Sequence, residues 1–214
     1  MVPHTGSLTL AEFMALPEDG YRHEFVRGDV RVMPPPKSRH GLVETKLLAA
    51  IDRYLDDRAR SLGWRPEQGS DACHALVGFV AGGEFGMQFT LPDDPDQVRG
   101  ADGAYVPAEQ LAASGWSWHD DTYFPAVAHL VIEVISLSES AADSAEKVQD
   151  YLAGGARHVW CVYPERRVIH IHDADAPTRV LRWGDTLTDD ALLPGFALPF
   201  NLIFPQPRSA HGDQ

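Results

Sequence analysis

The 214-residue chain is poor in cysteine and in positive charge, and it has no long apolar run. Its two cysteines, Cys73 and Cys161, stand 88 positions apart and match no metal-ligand or redox spacing. Neither a disulfide framework nor a zinc module is therefore expected to organise the fold. Cys161 lies inside the run HVWCVYP, where it reads as a small buried hydrophobe. No segment approaches the ~18 apolar residues of a membrane span. The stretch MVPHTGSLTLAEFMALPEDG shows no basic leader ahead of an apolar core, so a cytoplasmic protein without a membrane partner is expected. Lys and Arg number 18 against 31 Asp and Glu, a net charge of −13, and protonating all 10 histidines would still leave the chain negative. Taken alone, that deficit argues against non-specific affinity for nucleic acids or anionic membranes. Phosphate-cradling glycine patterns, a G-x-S-x-G element and a catalytic-cysteine context are also missing.

What is present is a globular composition, 44% hydrophobic and 23% charged, with length enough for a sizeable core. No repeat or linker divides the chain. A single domain over residues 1–214 is expected, with its core at about 9–204 and a disordered tail at 205–214. Thr9 with Glu12 three residues on announces a short helix that Pro17 ends. Two β-rich runs flank Arg27-Gly28-Asp29 and read as a hairpin closed by Pro34-Pro35-Pro36. From about Ser38 to Leu62, Leu42, Val43, Leu47, Ile51, Tyr54 and Leu55 recur at helical steps. Residues 63–106 read as a glycine-broken β-meander that ends in the strand GAYVP, and a Ser-, Trp- and Asp-rich loop follows at 113–123. AVAHLVIEVIS, SESAADSAEKVQDYLAGG and HVWCVYP then form a strand, helix and strand, a β-α-β unit that predicts a partly parallel sheet. ERRVIHIHD and TRVLRW read as antiparallel additions, with turns over Leu193 to Phe204 closing the chain.

Glu133 stands in the middle of the apolar strand AHLVIEVI. Alternation places it on one face with Val131 and Ile135, leaving Ile132 and Val134 on the other. Both faces are apolar, as in an inner strand covered on both sides. An unpaired carboxylate there is costly, so a metal ion, a basic residue or a hydrogen-bonding cluster must compensate, unless the strand frays at that point. In the following helix Asp143, Lys147, Tyr151 and Gly155 share one stripe, which could bring Lys147 over the end of the strand. On spacing alone, an Asp143–Lys147 surface pair is the better reading. Asp102 reads as a turn residue opening a short strand, and Glu24 as a solvated residue on a half-exposed hairpin. His170 and His172 share a strand face at zinc-site spacing, but a third ligand is missing. Trp116 and Trp118 are expected to clip their loop to the core.

Taken in order, TLAEFMALPEDGYRHEFVRGDVRVMPPP, SRHG, RGADGAYV, HLVIEVIS, EKVQDYLAGGARHVWCVYPERR and LLPGFALP resemble the Uma family of restriction endonucleases, a branch of the PD-(D/E)XK nuclease superfamily. The resemblance runs from about Thr9 to Phe204. It implies an α/β fold: a restriction-endonuclease-like core, a mixed β-sheet flanked by helices, with an N-terminal helix and β-hairpin. It implies a metal-dependent endonuclease acting on DNA. Asp102 then matches the acidic residue of the "PD" element and Glu133 the carboxylate of "EXK", the two ligands of Mg²⁺ or Mn²⁺. Ile135 occupies the usual lysine position, and Lys147 on the next helix matches the displaced lysine. Glu24 matches an early acidic residue of the superfamily and His40 the histidine that opens the long helix. Ala101, Gly103 and His23 depart from the family pattern, and residues 71–86 look enlarged. The fold's nucleases often act as dimers, so a homodimer is expected.

Hard oxygen ligands suit such an ion, which lowers the pKa of its water and offsets charge on a phosphorane-like transition state. Residues 22–46 carry six basic side chains against three acidic, and residues 84–121 eight acidic against Arg99 alone. A basic rim along the hairpin and long helix could track a nucleic-acid backbone. The alternative is a catalytically silent relative that uses the nuclease fold as a DNA- or protein-binding or dimerisation scaffold.

Overall fold

The computed structural model describes residues 8–17, 19–33, 35–137 and 139–206, and for Glu84 the backbone alone. Pro34 of the expected hairpin closure and residues 207–214 of the expected tail lie outside the described residues.

Helix α1 (Leu10–Met14) starts at the expected capping box: the Glu12 N–H donates to Thr9 Oγ1, and the Thr9 N–H donates to Glu12 Oε2 at 2.8 Å. Strands β1 (Arg22–Val26) and β2 (Asp29–Met33) pair antiparallel across Arg27 and Gly28, both at positive φ, as a tight two-residue hairpin turn requires. The long helix α2 (Ser38–Ser61) buries Val43, Leu47, Ile51, Leu55 and Ala59 at four-residue steps. Leu42, expected on that face, is exposed.

The expected meander is corrected at its start, where Gly69–Val77 is a helix, α3, with Cys73 and Val77 inward. The apolar run HALVGFV reads as a strand broken by its glycine, but Gly78 is a helix stop. It sits at positive φ, and a Cβ there would lie 2.1 Å from the Val106 carbonyl oxygen. Strands β3 (Phe79–Leu91) and β4 (Asp94–Val106) form one long hairpin with a bulge between Gly82 and Phe85. Asp102 thus lies well inside β4 rather than opening a short strand. Helix α4 (Ala108–Ser114) shortens the expected loop. Beyond it, Trp116 packs on Phe79 and Phe124, whereas Trp118 is exposed.

The β-α-β unit is as the sequence predicts. Strand β5 (Leu130–Val134) leads through α5 (Ala141–Ala153), capped by Ser140, to β6 (His158–Tyr163), which runs parallel to β5 with Glu133 beside Cys161. Strands β7 (Val168–Asp173) and β8 (Arg179–Leu181) extend the sheet antiparallel. The expected closing turns are instead a separate hairpin, β9 (Thr186–Asp189) with β10 (Leu193–Pro199), and the short helix α6 (Phe200–Ile203). The fold is therefore mixed α/β, with the main sheet in the order β2-β1-β4-β5-β6-β7-β8 and β3 also paired to β4.

Two apolar layers cover this sheet. One gathers Leu47 and Ile51 of α2 with Ile132, Trp160, Ile169 and Phe200, and the other gathers Val148 and Tyr151 of α5 with Val131, Val159 and Cys161. Alternation along β5 thus puts Glu133 on the α5 side, as its neighbours require. Both cysteines are free and buried.

Strand β4 matches β3 in length and is longer than β1 and β5, its other partners. It meets β1 at Phe25–Val98 and β5 only from Gly103–Ile132 onward. Residues 99–102 span the fork between those two partners, and the fork is where the polar side chains collect.

Candidate active site

Glu24 is the correction to the hairpin reading, because β1 turns it inward and leaves it fully buried. Its Oε1 accepts from Arg22 at 2.8 Å and from the Gly100 N–H at 3.4 Å, and its Oε2 accepts from Arg99 at 3.3 Å. Asp102 sits one step beyond the Gly103–Ile132 pair, facing Glu133 across the ladder. The Val134 N–H donates to Asp102 Oδ2 at 2.7 Å, and Oδ1 lies 3.2 Å from His40 Nε2 and 3.7 Å from Arg22. Burial pushes the Asp102 carboxyl up, but His40, the Val134 N–H and Arg22 outweigh it and hold its pKa below the usual value. Burial likewise opposes the charge on His40, and the carboxylates of Asp102, Glu44 and Glu133 reverse that and raise its pKa.

Glu133 is 3% exposed. Its Oε1 accepts from the Tyr151 hydroxyl at 2.8 Å and its Oε2 from Lys147 Nζ at 3.3 Å. The surface-pair reading of Lys147 fails. α5 folds back over β5 and buries this side chain, while Asp143 bonds with Ser140 at the helix start. Lys147 also lies 3.8 Å from Glu24. Burial raises the Glu133 pKa to about 7. Lys147 and Arg22 counter that rise, and the nearby charges of Asp102 and Glu24 add to it. For Lys147 the carboxylates win over burial and raise the pKa.

All five residues singled out in the sequence, Glu24, His40, Asp102, Glu133 and Lys147, line one cleft of about 600 Å³. Volume does not distinguish it, since depressions of about 590 and 860 Å³ lie elsewhere without Asp102 or Glu133. Its chemistry does. The carboxylates of Glu24, Glu44, Asp102, Glu133, Glu139 and Asp143 line it against only Arg22, Arg31, Lys37 and Lys147, with His40 between them. Among the described residues no set of three or more His, Cys, Asp or Glu side chains is arranged as a metal cage. The donors are nonetheless hard oxygens, and two protein carboxylates with water completing the shell is a common mode for Mg²⁺. Asp102 and Glu133 fit that mode.

A family model described as "Uma2: Putative restriction endonuclease" matches residues 10–201. The chain belongs to the Uma2 family. A crystal structure from Anabaena variabilis, described as "a putative nuclease belonging to DUF820", is similar with a TM-score of 0.72. That match covers 92% of this chain and 97% of the other at 15% identity, so the likeness is one of fold. No curated protein matches the sequence. Among the described residues no helix is long and apolar enough to cross a membrane.

Within this Uma2 fold the site includes residues that motif reasoning passed over. Arg22 bridges Glu24 and Asp102. Glu44, one helical turn after His40, accepts from the Gly83 N–H at 3.1 Å. Tyr151 belongs to the four-residue stripe of Lys147, a signal visible in the sequence but without an assigned role. Arg99 reaches the site from within β4 and also pairs with Asp150. Four of the six basic residues of the expected rim are paired with carboxylates. Arg22 points into the cleft, Arg27 pairs with Asp93, Glu146 and Asp150, Arg31 pairs with Glu146, and Arg39 pairs with Glu165. The departures from the family pattern have a local reason at Gly103. A Cβ there would lie 2.7 Å from Leu48 Cδ2, and one at Gly82 2.1 Å from Leu48 Cδ1, so the two glycines let α2 approach the sheet. His170 and His172 have rings 6.2 Å apart, and burial lowers the pKa of each.

Proposed function

We propose that this chain is a metal-dependent endonuclease that hydrolyses DNA phosphodiester bonds with Mg²⁺, or Mn²⁺ in its place. The observation that carries the reading is the convergence of Asp102, Glu133, Glu24, His40 and Lys147 on one carboxylate-rich cleft at the β1–β4–β5 fork. Such a cleft repels a polyanion unless a cation intervenes. Asp102 and Glu133 would hold the ion, which when bound lowers the pKa of its water and offsets charge on the transition state. Lys147, a point charge with three donors, orients the attacking water or steadies the charge that builds on phosphorus. Glu24 keeps Lys147 aimed at the cleft, and His40 stands beside Asp102 where it can contact phosphate or move a proton.

A second reading has one observation in its favour: Glu24, Asp102 and Glu133 each already meet a basic side chain of the protein. It makes the chain a silent relative that binds DNA or protein on the same fold. One assay separates the two. Supercoiled plasmid is incubated with the purified protein and Mg²⁺ or Mn²⁺, beside Glu133→Ala. Nicking by the native protein that the variant loses supports the nuclease. Equal nicking by both, or none by either, overturns it.

A further inference from the structure

The two oxygens of Glu133 have partners of different kinds, and the difference assigns them different tasks. Oε1 meets a neutral donor, the Tyr151 hydroxyl at 2.8 Å, and Oε2 meets a cation, Lys147 Nζ at 3.3 Å. Tyr151 is held in place by its packing. It is fully buried, held on the inner stripe of α5, and its ring lies 6.3 Å from that of Phe89. Lys147 does have an alternative, since Glu24 Oε1 already lies 3.8 Å from its ammonium. A terminal carboxylate torsion is broad and roughly two-fold, so a lone glutamate does not fix the direction of its oxygens. A phenolic donor on one oxygen fixes the carboxylate plane and leaves its negative charge intact, whereas an ammonium cancels that charge.

We propose that Tyr151 is a positioning residue that anchors Glu133 for a divalent cation, with Lys147 the exchangeable partner that yields Oε2 and turns to Glu24. The proposal rests on the metal-dependent reading above and deepens it. Partners that orient a metal ligand commonly carry a 10–100-fold share of metal affinity when removed. Tyr151→Phe keeps the ring and its packing and loses one hydroxyl. Lys147→Met removes a cation that competes for the same oxygen.

The test is Mn²⁺ affinity by calorimetry on the full chain, without DNA, for the native protein, Tyr151→Phe, Lys147→Met and Tyr163→Phe. Thermal melts of the metal-free proteins check that each is folded. Expected are at least tenfold weaker Mn²⁺ binding in Tyr151→Phe, tighter binding in Lys147→Met, and no change in Tyr163→Phe. Damage to α5 in general would weaken both of the first two, so the opposite signs separate positioning from a merely structural role. Unchanged affinity in Tyr151→Phe, or weakening in both α5 variants, overturns the proposal while leaving the nuclease reading intact. A native protein that binds no Mn²⁺ removes the metal-dependent reading and the proposal with it.

Discussion

At the scale of single residues, the burial of Glu133 bears on stability. Its pKa rises from an ordinary 4.5 to about 7 because burial disfavours the charged form. A raised carboxyl pKa gives stability that is complete below about pH 4.5 and lost as pH climbs through about 7. Replacing it with neutral Gln removes that loss. In metal-free protein Glu133→Gln is expected to match the native chain at pH 4 to 5 and exceed it at pH 8, by on the order of 3 kcal/mol. Urea unfolding at both pH values checks this, and a less stable variant at pH 8 would show that the Lys147 pair outweighs burial. Gly103 gives a second residue-scale expectation. Val at this position should meet Leu48 and cost about 1–3 kcal/mol by overpacking, with Leu48→Ala restoring much of the loss in the double variant. Glu133 was legible in the sequence because its neighbours are apolar on both faces. Glu24 was legible only through the family resemblance, because by pattern alone the polar run RHE looks half-exposed until β1 is seen to fold against the fork of β4.

At the scale of elements, α5 works through two adjacent stripes. Lys147 and Tyr151 serve Glu133, while Glu146 and Asp150 fasten the helix to the β1–β2 hairpin and to β4. Asp150 accepts from Arg27, Arg99 and Gln97, and Arg99 is fully buried. Burial opposes the charge on Asp150, but the Arg27 and Arg99 hydrogen bonds prevail and hold its pKa low. Removing one member of such a buried group leaves an uncompensated charge. Asp150→Ala is therefore expected to cost about 3–5 kcal/mol in urea denaturation, and Arg99→Met combined with it should recover part of that. An Asp150→Ala loss under about 1 kcal/mol would mean that Glu24 and Glu146 satisfy Arg99 without it. The β-α-β unit could be read from its hydrophobic runs and its Ser140 and Gly154 boundaries. Helix α3 could not, because nine residues framed by glycines carry too short a period. The arginine clamp could not either, since it joins residues up to 123 positions apart.

Across the whole molecule, a buried ionic contact helps tie the small β9–β10 sheet to the large one. His158 Nδ1 lies 2.6 Å from Asp189 Oδ2, and its Nε2 lies 3.2 Å from Asp173. The Asp189 hydrogen bond, against burial and with help from Asp173, raises the His158 pKa above 6.5. The stability it gives is complete below about pH 6.5 and lost as pH rises through the raised value. Glu133 and His158 thus both weaken the fold with rising pH, in successive windows. Melting temperature should fall in two stages from pH 5 to pH 9, with His158→Gln flattening the upper stage and Glu133→Gln the lower one. A profile that His158→Gln leaves unchanged would remove His158 from this account.

The same whole-molecule view bears on the net charge of −13. Four of the six basic residues between 22 and 46 are held by carboxylates, so the folded surface offers phosphate fewer cations than the sequence suggests. Duplex affinity should then depend on a divalent ion in the cleft more than on released counterions. Fluorescence anisotropy with labelled duplex in Ca²⁺, which commonly supports binding without turnover, against chelator is expected to show binding only with the metal. The slope of log affinity against log salt should stay shallow, about −2 to −3, where a protein with 6–10 phosphate contacts gives a far steeper one. Steep salt dependence without metal would locate DNA on a basic surface away from the Asp102–Glu133 cleft.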